Sequence, residues 1–338
     1  MAEELQLETS VHSMVDGEYK QAKMMTSLSL GSTSPSSTIE GPEEDEDQLD
    51  DMSTDSWPAA ALDWQLPSAV LLFVDWDDTL FPTSWLDSKP GFRDWAKSDS
   101  MDADGIGLDE ADRARLRELD VAAKGFLLAA SRLGKVCCVT LAQPRWVPSC
   151  LAAFMPNLAA VWQELGIEVH YASVETLETR RGGLGKDAGW CMHRLRMDEE
   201  EEQHIVAEVL ARRKQRSMKR VLRQFYGRHG TWCNIMSLGD GPFERQALQD
   251  LAFERSGTPP PSPSSAEAGG GASESLRVKT VKLLDSPGCS ELCKELQLLQ
   301  NWLANMVMVD GDFDLDLGQM GDVDGTNVQR TLCAAAQV

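Results

Sequence analysis

An α/β domain built on a doubly wound parallel sheet of about five strands, flanked by acidic disordered segments, is the fold this sequence predicts. Two observations carry that prediction. Short apolar runs recur through the middle of the chain, and stretches with apolar residues at helical spacing separate them. The N-terminal segment and one internal stretch are instead poor in apolar residues, the first rich in Ser, Thr and acids and the second in Pro, Ser and Gly.

Residues 1–66 come first. They are rich in Ser, Thr, Asp and Glu, include "GPEEDEDQLDDMSTDS", and hold too few apolar side chains to offset their ordering entropy. They read as a disordered acidic tail. The domain comes next at 67–320, interrupted by a Pro/Ser/Gly loop at 254–276, and 321–338 form a C-terminal tail. Tail and loop contain Ser-Pro or Thr-Pro pairs at Ser34, Thr258 and Ser262; phosphorylation and simple loosening of the chain are equal readings of these.

Within the domain the expected strands are "AVLLFVDW" from Ala69, "KVCCVTLA" from Lys135, "IEVHYASV" from Ile167, "CNIMSLGD" from Cys233 and "RVKTVKLL" from Arg277. A helix from Leu108 precedes the second strand and ends at Gly134 in the C′ position. A further helix, "FMPNLAAVWQELG", closes on Gly166 in the same way. The longest helical pattern, from about Asp198 to Phe225, opens with acids and closes with bases, which complements its dipole. Ile205, Val206, Val209 and Leu210 are its expected apolar stripe, and the charged runs read as solvated helix ends. The last helix, from Cys289, is expected on a sheet edge, with Cys289 and Cys293 one turn apart as packing or surface thiols rather than zinc ligands.

Composition bounds the function. A length of 338 residues with 42% hydrophobic content supports a folded core. A net charge of −22 and a pI near 4.6 argue against a nucleic-acid surface, which needs clustered Lys and Arg, and suit a tail that binds basic partners. The 8 scattered cysteines point to a reducing compartment. Neither a leader pattern nor a long apolar run stands out, so an intracellular protein, cytoplasmic or nuclear, away from the membrane is expected.

The chemistry is read from the residues just past each strand, because open parallel sheets carry their functional groups at strand carboxyl ends. After the first run comes "DWDDT", with Asp75 and Asp77 one residue apart and Asp78 beside them. After the second comes Thr140, and after the fourth "GDGPFE" supplies Asp240 and Glu244. Carboxylates converging from two strand ends make a hard-cation site, best suited to Mg²⁺. A hydroxyl, a lysine and Mg²⁺ around one carboxylate are the parts phosphoryl transfer needs. Other signals fail: "RRGGLGKDAG" lacks the Ser or Thr of a P-loop, and "DGDFDLDLG" lacks the Gly and closing Glu of a calcium loop.

On these residues the chain resembles the haloacid dehalogenase (HAD) superfamily of hydrolases. "FVDWDDTL" is similar to its DxDxT signature, "VCCVT" to its second motif, and "SLGDGPFE" to its fourth, in the family's order over roughly residues 69–317. The resemblance implies a HAD-like Rossmannoid fold and a Mg²⁺-dependent phosphatase. Asp75 would be the nucleophile and Asp77 the general acid and base. Asp75, the Asp77 backbone carbonyl and Asp240 would hold Mg²⁺, Thr140 would bind the phosphoryl group, and Thr79 would shape the turn. The family's lysine falls on the long helix, at Lys214 or Lys219; "SMKRVLRQF" favours Lys219, with Glu244 as its partner or as an outer ligand of the metal. Asp78 reads as a solvated neighbour, and Trp76 and Trp85 as packing residues.

Family substrate choice depends on cap insertions. Here the stretch from Ser84 to Gly107 reads as short and polar, and Thr179–Gly189 with the long helix does not make a cap domain. That leaves an open site, which by analogy suits a phosphorylated macromolecule such as a phosphoprotein. Two alternatives stand beside the phosphatase: a catalytically inactive HAD-like scaffold, and a phosphotransferase or mutase.

Overall fold

A computed structural model of the chain describes residues 63–98, 102–172, 199–227, 232–256 and 276–319. Its strands are β1 (Val70–Val74), β2 (Lys135–Thr140), β3 (Glu168–Tyr171), β4 (Asn234–Gly239), β5 (Arg277–Lys282) and β6 (Phe313–Asp316). They form one sheet in the order β3-β2-β1-β4-β5-β6, parallel at every pairing. The sheet thus has one strand more than expected. The sixth is the "FDLD" of the failed calcium loop, whose alternation places Phe313 and Leu315 in the core and leaves Asp314 and Asp316 less covered. Acids along an edge strand also discourage pairing with another sheet.

The helices are α1 (Thr83–Asp87), α2 (Phe92–Lys97), α3 (Glu110–Leu133), α4 (Trp146–Phe154), α5 (Pro156–Leu165), α6 (Glu199–Tyr226), α7 (Pro242–Ser256) and α8 (Cys289–Val307). Both faces of the sheet are covered. Val70, Leu72 and Val74 pack into one apolar layer with residues of α3, α4, α5 and α8, whereas Leu71 and Phe73 pack into another with Met218, Val221 and Leu222 of α6 and Leu248 of α7. Burial on both faces is why β1 is apolar at every position. Instead of lying on a sheet edge, α8 packs against α3 and completes the layer that α3–α5 leave unfinished. Cys289 and Cys293 are buried there, which makes them packing thiols.

Several local signals have a different physical cause from the one read in the sequence. Gly134 is extended, with φ 179°, and no left-handed cap forms. Glycine is required because a Cβ there would stand 2.4 Å from the Val70 carbonyl oxygen. Gly166 is left-handed as expected, with φ 61°, and its N–H closes the end of α5. The helix expected from Phe154 starts at Pro156, which opens α5, and Phe154 instead ends a separate helix, α4. Along the described part of α6, Val209 is exposed and the buried stripe runs Leu210, Ala211, Met218, Val221 and Leu222. The side chains of Ile205 and Val206 lie outside the described residues.

The domain also begins earlier than expected. Trp64 sits under the Arg277 guanidinium at 4.2 Å, and its carbonyl accepts from Asn234 Nδ2 at 3.2 Å. The remainder of the expected tail, most of the internal loop and the C-terminal segment from residue 320 lie outside the described residues. The boundary expected at 254 falls inside α7, which continues to Ser256. Among the described residues no helix is long and apolar enough to cross a membrane.

Candidate functional site

Connections from β1 run through β2 to β3 on one side, and from β4 through β5 to β6 on the other, so the winding reverses between β1 and β4. Ligand crevices of such sheets form at the strand carboxyl ends at that reversal. Asp75 follows β1 and Asp240 follows β4 there, and the strands are tied by the Asp75 N–H donating to the Leu238 carbonyl at 3.0 Å. Both carboxyls are almost fully buried.

Beyond Asp75 the chain folds into a tight loop, in which the N–H groups of Thr79, Leu80 and Phe81 all turn back to the Trp76 carbonyl. Asp78 adopts φ 51°, a conformation acidic and amide side chains tolerate better than most. The expectation that Asp78 is solvated does not hold, because it is fully buried. Its Oδ1 accepts the Ser84 N–H at 2.9 Å and its Oδ2 the Ser84 hydroxyl at 2.5 Å, which pins the loop to the start of α1. Burial pushes its carboxyl up to about 7. Thr79 has the expected turn role: its hydroxyl accepts the Asp240 N–H at 3.1 Å and so joins the β1 and β4 loops.

Asp77 is enclosed from the opposite layer. Its Oδ1 accepts the Thr83 hydroxyl at 2.6 Å and the Trp146 indole N–H at 2.8 Å, while the Thr140 hydroxyl stands 3.4 Å from Oδ2. Burial, reinforced by the Asp75 charge, pushes the Asp77 carboxyl up to about 6, against the lowering effect of Thr83, Trp146 and the Lys214 charge. A carboxyl in that range can give and take a proton near neutral pH.

The lysine that meets Asp75 is Lys214. Leu71 and Phe73 face the α6 layer, and Asp75 continues their alternation, so its partner must come from α6. Lys214 Nζ is 2.9 Å from Asp75 Oδ1 and also contacts Glu244 Oε1, with its side chain 1% exposed. The choice of Lys219 is therefore corrected. Lys219 faces away, toward α7, where it pairs with Glu254 in a partly exposed bridge of 2.6 Å. The helix repeat carried the signal, since Lys214 falls in phase with Leu210, Met218 and Val221, and Lys219 lies half a turn away. Glu244, in the first turn of α7, holds Lys214. Gly239 and Gly241 give it room, since a Cβ at Gly239 would stand 2.6 Å from Glu244 Cγ.

Two surrounding elements differ from expectation. The Ser84–Gly107 stretch is not simply a polar loop. Leu86, Phe92, Trp95 and Ile106 are buried, and Phe92 and Trp95 join Trp146, Phe154 and Phe81 in an aromatic cluster flanking Asp77. Trp76 is fully buried in the same layer as a packing residue, and Trp85 packs under the Lys89 ammonium. The far end of α6 reaches the opposite edge of the sheet, where the Tyr226 hydroxyl donates to the Ala69 carbonyl at 2.7 Å. Lys214 lies about three turns earlier, at the carboxyl edge, so the turns preceding it extend past the sheet beside the site. The Thr179–Gly189 stretch lies outside the described residues.

The groups open to a cation are the Asp75 and Asp240 carboxyls at the ends of β1 and β4. Asp75, Asp77, Asp240 and Glu244 are all buried, and Lys214 is buried against Asp75 and Glu244. No group of three or more His, Cys, Asp or Glu side chains is arranged as a metal cage among the described residues. No protein-family model, curated protein or solved structure matches the chain.

Proposed function

We propose that this chain is a HAD-like phosphomonoester hydrolase, acting through an aspartyl-phosphate on Asp75 with Mg²⁺ as cofactor. The observation that carries the proposal is the pairing of two unlike carboxyls at one strand end. Asp75 lies beside a buried lysine, and Asp77, two residues on, is held at a pKa of about 6. A nucleophile and an acid-base of this kind, with a hydroxyl at Thr140, are the groups a covalent phosphatase requires.

Asp75 attacks phosphorus, forming the carboxylate–phosphorus bond as the phosphorus–oxygen bond of the ester breaks. The proton on Asp77 passes to the leaving oxygen. Water then attacks the aspartyl-phosphate, Asp77 takes its proton, and inorganic phosphate leaves with Asp75 restored. Thr140 and Lys214 bind phosphoryl oxygens, and Glu244 orients Lys214. Mg²⁺, held by Asp75, Asp240 and the Asp77 backbone carbonyl, would neutralise charge on those oxygens.

The inactive-scaffold alternative rests on an unplaced lysine and on Glu244. With Lys214 joined to both Asp75 and Glu244, neither favours it. A phosphorylated macromolecule such as a phosphoprotein is the substrate class we propose, by analogy with family members that lack a cap domain. The test is hydrolysis of p-nitrophenyl phosphate by the full chain with Mg²⁺. Turnover should be lost on chelation, restored by Mg²⁺, and abolished by Asp75→Asn. An Asp75→Asn variant as active as the parent, or a parent without turnover, would overturn the reading.

A further inference from the structure

The indole of Trp146 holds no place in the motifs of the sequence, yet it makes one of the two shortest contacts to Asp77. Its Nε1–H donates to Oδ1 at 2.8 Å in a buried setting, and the Thr83 hydroxyl donates to the same oxygen at 2.6 Å. Both donors therefore fix one carboxyl oxygen, and the rotation of the carboxyl is set by two elements outside the strand that bears it. The indole itself has little freedom. Phe81 and Phe92 meet it edge-on, with ring centroids 6.2 and 6.1 Å away, and Trp95 lies at 5.9 Å. The other oxygen, Oδ2, faces the Thr140 hydroxyl at 3.4 Å, toward the phosphoryl site.

We infer that Trp146 is a positioning residue for proton transfer: by anchoring Oδ1 of Asp77 it presents Oδ2 as the atom that delivers the proton to the leaving oxygen and later takes one from water. This rests on the phosphatase reading. It adds a role for the aromatic cluster from Ser84 to Phe154, which supports the indole and sets how accurately Oδ2 is aimed. A misplaced acid costs rate only where the leaving oxygen needs a proton, so the loss depends on the ester. A nitrophenolate leaves unprotonated; an alkoxide does not.

The experiment is Trp146→Phe in the full chain, which keeps an aromatic ring in the cluster and removes the N–H, with Thr83→Val as a second variant removing the other donor. The quantity read is kcat/KM, which covers steps through formation of aspartyl-phosphate, for p-nitrophenyl phosphate and for an alkyl phosphate. Trp146→Phe should hold kcat/KM for the nitrophenyl ester within about threefold and lower it for the alkyl ester about 10- to 100-fold, within the range general acids supply. Thr83→Val should show the same asymmetry.

An equal fall for both esters, or no fall for either, overturns the inference and leaves the phosphatase reading standing. A parent inactive on both esters overturns the phosphatase reading instead. The indole N–H resonance of Trp146, assigned by its loss in Trp146→Phe, then decides the contact by itself. It should move upfield in Asp77→Ala, and a resonance that stays in place shows that no such contact forms.

Discussion

Replacing Lys214 and Lys219 in turn by Met separates the site from the surface of one helix. Lys214 Nζ lies 2.9 Å from Asp75 Oδ1 and against Glu244, with its side chain 1% exposed. At an effective dielectric near 20, a pair at that distance interacts by about 6 kcal/mol before desolvation is counted. Removing the cation leaves two buried carboxylates facing each other, and breaking a buried pair in this way costs about 3–5 kcal/mol. On the proposed phosphatase reading, the loss of one preorganised charge costs a further ~10²–10³ in rate. Lys219 holds Glu254 in a bridge whose partners are 38% and 48% exposed, worth about 0.2–1 kcal/mol. Urea denaturation should thus place Lys214→Met several kcal/mol below the parent and Lys219→Met within about 1 kcal/mol of it. Turnover of p-nitrophenyl phosphate should nearly vanish in the first and persist in the second. Adding Glu244→Gln to Lys214→Met should recover part of the stability, because one unpaired charge is removed, and none of the turnover. An inactive Lys219→Met, or a Lys214→Met that matches the parent in both stability and rate, would rule out Lys214 as the lysine of the site.

Two further outcomes test the frame around the site. Gly134→Ala places a Cβ 2.4 Å from the Val70 carbonyl and should destabilise the domain by about 1–3 kcal/mol or more, because backbone must move; Gly166→Ala meets nothing within 4 Å and should cost only the ~1–2 kcal/mol of its left-handed conformation, as paired melting curves would show. Lys279, fully buried on β5, donates to Asn234 Oδ1 at 2.9 Å and the Val307 carbonyl at 2.6 Å, and burial lowers its pKa from 10.5 to about 7. The unfolded chain then binds the proton more readily between pH 7 and 10.5, so this residue adds stability as pH rises through that window, by about 5 kcal/mol in all. Lys279→Met should remove that rise, and denaturation of both proteins from about pH 6.5 to 10 would show two parallel curves if the assignment is wrong.

The parts legible in the sequence are those set by local pattern. Five of the six strands and the helices α3, α5, α6 and α8 follow from runs and periodicity, because an apolar segment must be covered whatever covers it; α7 does not stand out in this way. Asp75, Asp77, Thr140 and Asp240 could be selected because groups at strand carboxyl ends meet wherever strands are parallel neighbours. The sixth strand escapes sequence reading because "FDLD" places only two apolar residues on one face, too short a pattern to stand out from an acidic loop.

Which groups meet across distant elements is set by tertiary packing. Lys214 lies in the apolar phase of the long helix and Lys219 outside it, but the repeat alone does not say which group that face meets. That appears once α6 is laid on the face toward which Asp75 points. Trp146 and Thr83 lie 69 and 6 residues from Asp77 and converge on one of its oxygens through the packing of two helices. Asp78, charged and solvated by its sequence context, becomes a buried brace because the loop turns it onto Ser84. The sequence by itself therefore determined a parallel α/β sheet with carboxylates at the ends of β1 and β4. The direction in which each carboxyl points, and the charge or donor it meets there, comes from how two helical layers close over the sheet, an arrangement that no stretch of local sequence encodes.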